Sequence, residues 1–210
     1  MSINYVLDII STYSGLLPVI AWIYNYRHLD NLMKLIGVFF VLSSMFDILQ
    51  KLLTDWGVRN NMPVIHVFVI INIVFFGVIY YRAFFSTPLK RLALVLTALA
   101  LLIALFFARN LLIYPSESNT ASGIAFIILS LVYFYQLLNR QEFVHIEKQG
   151  LFWFNAGVLF YFSINIFLFM LFTKIPKEDQ AAYYMINNIT NIIANLLYTT
   201  ALLCQPQKIA

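Results

Sequence analysis

A carboxylate at Asp47 interrupts an otherwise apolar run over residues 34–54, with Ser43 four positions before it and Lys51 four positions after. On a helix these three share a face. The serine can then donate to the carboxylate, and the lysine can partly neutralise it while its ammonium reaches outward. Three more ionisable groups break apolar runs in the same way: Asp8, His66 and Arg109. Such groups are costly in hydrocarbon, so each marks a functional site or a structural clamp.

Towards the C-terminus Asn187, Asn191 and Asn195 recur at every fourth position, and Asn188 joins their helical face. An amide turned to lipid leaves donors and acceptors unpaired, so this stripe is expected to face protein. Asn72, Ser163 and Asn165 are partners of the right chemistry at similar depth. Two arrangements satisfy these groups. One is a set of dry interhelical clamps, including Asp47 paired with Arg109 or His66. The other is a polar cavity whose ligand-binding groups are Asp47, His66, Asn72, Arg109, Asn165, Asn187, Asn191 and Asn195.

The elements that must position these side chains are seven apolar stretches, at residues 5–24, 34–54, 63–85, 92–114, 120–139, 151–172 and 183–204. Crossing roughly 30 Å of hydrocarbon at about 1.5 Å per residue takes about 20 residues, so each is long enough for one pass. Hydrophobic residues make up 62% of the chain and charged residues only 10%, with a mean hydropathy of +0.83. Soluble domains carry about 25% charged residues. The runs are continuous and do not alternate, which points to helices over a barrel. The expected fold is all-α: one domain over 1–210, a polytopic integral membrane bundle of seven transmembrane helices. Pro63, Pro88, Pro115 and Pro176 fall at or beyond helix ends, while Pro18 lies inside the first helix and is expected to kink it. The N-terminus lacks the basic segment of a secretory signal, so the first stretch reads as an uncleaved helix.

Orientation follows from the basic residues. Arg27, Lys34, Arg82, Lys90, Arg91, Arg140, Lys148 and Lys208 fall on one side of a seven-pass chain. Lys51, Arg59, Arg109, Lys174 and Lys177 fall on the other. The richer side is expected inside, which puts the N-terminus outside and the C-terminus inside. Asp8, Asp47, His66 and Arg109 then share the outer half of the bilayer, and the cavity, lined by the second, third, sixth and seventh stretches, opens outward.

Several chemistries are disfavoured. Retinal needs a lysine in a helix interior, and no stretch has one near its middle. His28 and His145 lie at the opposite side from His66, so the three histidines cannot converge on zinc. No Gly-x-Ser-Gly nucleophile and no phosphate-binding glycine loop is present. The residual enzymatic option is carboxylate chemistry on lipid through Asp47. No run of Lys and Arg exceeds two, so no nucleic-acid partner is expected. The single cysteine, Cys204, excludes an internal disulfide and reads as a small hydrophobe, and no cofactor is called for. Seven-helix carriers of the sugar-efflux type carry a Pro-Gln pair in the first helix of each repeat. Here Pro18 is followed by Val19, and the lone Pro206-Gln207 pair is in the tail.

From Leu16-Leu17-Pro18 through the second stretch, the chain resembles the small seven-transmembrane proteins of Bacteroidetes-type bacteria. Phe152-Trp153-Phe154-Asn155, Tyr161-Phe162-Ser163-Ile164-Asn165 and Asn187-Asn188-Ile189 carry the likeness further. Those proteins are often encoded near two-component signalling genes. The resemblance implies an inner-membrane location and a sensory role, and it carries no catalytic residues. The leading expectation is therefore a non-enzymatic membrane sensor that signals to a membrane or cytoplasmic partner protein through the connectors at 27–34, 82–91 and 140–150. A small-solute carrier and a structural subunit of a membrane complex are the alternatives.

Overall fold

The structure is a computed structural model that describes residues 3–139, 145–174, 176 and 180–204. Arg140, Lys177, Lys208 and the Pro206-Gln207 pair, all used in the reading above, lie outside the described residues. Among the described residues there is no strand. The helices are α1 (Ile3–Ser14), α2 (Leu16–Asn25), α3 (Asn31–Asp55), α4 (Met62–Ala83), α5 (Thr87–Phe107), α6 (Ser116–Leu138), α7 (Gly150–Leu171) and α8 (Gln180–Leu203). Six segments are long and apolar enough to cross a membrane: Tyr5–His28, which joins α1 and α2, and then α3 to α7. The chain is thus an integral membrane helix bundle by length and composition.

Helix boundaries follow local chemistry. The Asp30 carboxylate accepts from the Met33 amide at 2.7 Å and caps the start of α3. Gly57, at φ 75°, ends it: the Gly57 and Val58 amides donate back to the Thr54 and Leu53 carbonyls, each at 3.0 Å. Pro63 and Pro88 occupy the first turns of α4 and α5, where a missing N–H is harmless. The kink expected at Pro18 takes the form of a break one turn earlier, between α1 and α2. Pro18 has no amide hydrogen for the Ser14 carbonyl, and Ser44 of α3 donates to the neighbouring Gly15 carbonyl at 3.0 Å.

The fourth apolar stretch is displaced from its expected bounds. Helix α5 starts at Thr87, on its proline signal, and ends at Phe107, so Arg109 falls in the turn beyond it and not within a helix. Its buried face is a row of small residues, Ala93, Ala100 and Ala104, with Thr97 packed onto Gly77 of α4. Small residues let the two backbones approach closely, as membrane helix pairs require. The opposite face of α5 carries exposed Leu94, Leu99, Leu102 and Leu105.

Helix α8 is the most polar of the long helices, yet its exposed face is mostly apolar, with Ile186, Ile189, Ile193, Leu196 and Leu203 beside Thr200. Its polar groups, Asn188, Thr190 and Asn195, are buried. Three side-chain bonds join α8 to the first segment. Asn191 donates to the Ser11 hydroxyl at 3.0 Å, Asn195 donates to the Ser14 hydroxyl at 2.9 Å, and Asn25 donates to the Leu202 carbonyl at 2.9 Å. The partners rise together along both segments, so α1–α2 and α8 run side by side in the same direction.

The centre and far half of the bundle are filled with aromatic side chains. Phe76 stacks on Phe126 at 4.3 Å, and the Phe40 and Tyr198 rings lie 4.7 Å apart. Phe154 and Tyr80 are fully buried. Tyr80 donates to the Asn155 side-chain carbonyl at 2.9 Å, Asn155 donates to the Leu151 carbonyl at 2.8 Å, and Ser130 donates to the Asn155 backbone carbonyl at 2.9 Å. Every polar group in that knot has a partner, which is what a dry interior demands.

Candidate functional site

At the end of the bundle where α1 and α8 begin, α1, α3, α4, α7 and α8 separate around a cavity of about 800 Å³. Its position follows from sequence. Beside the rings of Tyr5, Tyr114, Phe169, Phe172, Tyr183 and Tyr184, the lining gathers Ser11 and Thr12 on α1, Asp47 and Gln50 on α3, and Asn187, Asn188 and Asn191 on α8. Short polar side chains fill less of the space between helix axes than Phe and Tyr do, so the bundle is hollow where they cluster.

Asp47 is the deepest carboxylate of the lining. It is half-buried, with its Oδ2 facing the break at Gly15: a Cβ built on that glycine would lie 3.7 Å from Oδ2 and 3.8 Å from the Ser44 hydroxyl. Asp47 has no hydrogen-bond or ion-pair partner among the described residues, where the one ion pair is the exposed His145–Glu147 contact at 3.1 Å. The expected neutralisation by Lys51 does not take place, because the Lys51 ammonium lies over the Tyr13 ring, 5.8 Å from its centroid. Nor does Ser43 bond to the carboxylate, and Ser44, also beside Gly15, donates to the Gly15 carbonyl instead.

The clamp expected between Asp47 and Arg109 or His66 is likewise not formed. His66, buried in the first turn of α4, bonds through Nε2 to the Ile113 carbonyl at 3.0 Å and ties down the segment between α5 and α6. Arg109 is exposed, its guanidinium over the Phe106 ring at 4.5 Å. The physical reason is the early end of α5, which carries Arg109 out of the bundle and leaves a backbone carbonyl for His66 to satisfy.

Of the eight ligand-site residues expected from sequence, Asp47, Asn187 and Asn191 line the cavity. His66, Asn72, Arg109, Asn165 and Asn195 do not. Asn72 is half-buried along α4. Asn165 is fully buried and donates to the Tyr161 carbonyl at 2.9 Å, while its own carbonyl has no partner among the described residues. Asn195 sits below the cavity as the second rung of the α1–α8 ladder, and Asn191 belongs to both, since it lines the cavity and holds Ser11. The polar stripe is therefore part clamp and part cavity wall.

Sequence reasoning missed α1 as a wall, although Ser11 and Ser14 stand three apart on one helical face and match the asparagine spacing of α8. It also missed an aromatic side of the cavity. The Tyr114 and Phe172 rings lie 4.5 Å apart, and Phe172 meets Tyr184 edge-on at 5.8 Å. These three residues are far apart in sequence and no periodicity links them. Burial of the Tyr114 ring raises its phenol above the ordinary tyrosine value, and the nearby Tyr161 and Tyr184 add to the rise.

Compared with known protein families, curated proteins and solved structures, the chain matches none. The cavity therefore has to be interpreted from its own chemistry.

Proposed function

We propose that this chain is a membrane sensor of the bacterial inner membrane, spanning it seven times with the N-terminus and the cavity outside and the C-terminus inside. A small ligand enters the cavity, and its binding is passed along the bundle to a membrane or cytoplasmic signalling partner. The observation that carries this reading is a half-buried Asp47, without a hydrogen-bond or ion-pair partner among the described residues, in a chamber at one end of a bundle whose other half is filled with buried aromatic side chains. A partly buried carboxylate without a partner is costly, and a bound ligand offsets that cost.

The ladder between α1–α2 and α8 supplies the route. Asn191 and Ser11 line the chamber and bond to each other, Asn195–Ser14 comes next, and Asn25–Leu202 closes the far end. A ligand that draws Asn191 away from Ser11 shifts α8 against the first segment, and that shift emerges at the connector following Asn25. Support for a seventh pass comes from α8. Its 24 residues reach roughly 36 Å at about 1.5 Å each, and its outward face is mostly apolar. Parallel first and last segments also require an odd number of passes. Arg27, Lys34, Arg82, Lys90, Arg91 and Lys148 gather at the end away from the cavity, which favours that end as the inside.

A carrier using the same cavity is the second reading, and the cavity itself is the observation in its favour. It needs a path through the plug formed by Phe40, Phe76, Phe126, Phe154 and Tyr198. Vesicles containing the purified protein separate the two. Solute flux abolished by Asp47→Asn establishes a carrier and overturns the sensor. Retention of a histidine kinase through purification, with no flux and with the association altered by Asp47→Asn, is the result expected of a sensor.

A further inference from the structure

We propose that the cavity selects an organic monocation, an amine or quaternary ammonium bearing an apolar group, with Asp47 as its counter-charge and the Tyr114–Phe172–Tyr184 side as its aromatic seat. This rests on the reading of the cavity as a ligand chamber and adds the class of ligand.

Three observations converge on it. Among the described residues, the lining holds the carboxylates of Asp8, Asp47 and Asp55 and one ammonium, that of Lys51. That ammonium is engaged with the Tyr13 ring, so it leaves Asp47 without a cation partner. An anion entering here meets an uncompensated carboxylate, and a neutral solute leaves its charge uncompensated; a cation does neither.

The aromatic rings of the lining narrow the choice among cations. Tyr114, Phe172 and Tyr184 form a continuous series with centroid spacings of 4.5 and 5.8 Å. Ring faces attract an ammonium through their quadrupole, most strongly where water is excluded. A divalent metal wants several oxygen ligands at close range instead. Among the described residues no group of three or more His, Cys, Asp or Glu side chains is placed to hold one. The volume of about 800 Å³ suits a small organic molecule and far exceeds a bare ion. Asn187 and Asn188 supply amide carbonyls for N–H groups of the ligand.

The test uses the full chain with its one cysteine removed by Cys204→Ser and a thiol introduced at the cavity lining by Asn187→Cys. Thr12→Cys on the opposing helix serves as a second position should the first variant fail to fold. Two thiol reagents of similar size are compared, trimethylammonioethyl methanethiosulfonate and sulfonatoethyl methanethiosulfonate, each normalised to its rate with a small free thiol. The cationic reagent is expected to be favoured at least tenfold, and Asp47→Asn to cut that preference at least threefold. Benzyltrimethylammonium is expected to slow the modification, and benzyl alcohol to leave it unchanged. Normalised rates that are equal, a preference indifferent to Asp47→Asn, or equal protection by both benzyl compounds overturns the cation assignment and leaves the chamber standing. Failure of both reagents to reach either thiol in folded protein removes the chamber itself.

Discussion

Cutting the second rung of the ladder, Asn195–Ser14, tests whether α8 is held to the first segment by specific bonds or by general apolar contact. The two sides of this bond are unequal. Ser14→Ala leaves the buried Asn195 amide without its acceptor, whereas Asn195→Ala leaves Ser14 still donating to the Ser11 carbonyl at 2.7 Å. Interhelical hydrogen bonds in bilayers average about 0.6 kcal/mol and reach about 1.7, because the dissociated helices find other partners. Asn195 is buried and its bond is 2.9 Å long, so we place the coupling in the upper half of that range, about 1–1.7 kcal/mol. The cavity left by Asn195→Ala appears in both legs of a double-mutant cycle and cancels. The equivalent cycle between Asn191 and Ser11 should give less, about 0.6 kcal/mol, since Asn191 is half-exposed to the cavity and water replaces the lost bond there. The assay is reversible unfolding in mixed micelles titrated with dodecyl sulfate, on the four proteins of each cycle. Additivity within about 0.3 kcal/mol at the Asn195–Ser14 pair would falsify the ladder as a specific link. A larger coupling at the cavity pair than at the buried pair would overturn the depth argument.

Two more outcomes follow from packing and exposure. Gly37→Ala drives a Cβ into the indole ring of Trp22, so the indole must swing away at a cost of about 1–3 kcal/mol in the same unfolding assay. Gly123→Ala meets nothing closer than 3.5 Å and should be neutral or slightly stabilising; equal effects at the two positions would contradict the packing of α2 on α3. Ile193→Asp puts a charge on the exposed apolar face of α8 and should cost about 3–4 kcal/mol in a glycosylation-scored insertion assay, against no loss for Ile193→Leu. Unchanged insertion with the aspartate would mean that this face of α8 does not meet lipid.

Hydropathy and run length determined the class of this molecule by themselves. A backbone that must satisfy its own hydrogen bonds in hydrocarbon has few alternatives to a helix, so each apolar run became one. The inward turn of the α8 asparagines was legible for the same reason, because spacing of three and four fixes a face and lipid rejects amides on it. The break near Pro18 followed from a missing amide hydrogen. Tertiary structure alone decided which polar groups meet. Asp47, Arg109 and His66 look like clamp partners along the chain, but pairing depends on helix rotation and on where α5 stops, and a shift of a few residues at Phe107 sent Arg109 to the surface and His66 to a carbonyl. The walls of the cavity were hidden for a related cause. Ser11 answers Asn191 across 180 positions, and Phe172 meets Tyr114 and Tyr184 only because the α5–α6 connector, the end of α7 and the start of α8 converge. Periodicity along one helix states which side faces protein, and only the packing of several helices states what stands opposite.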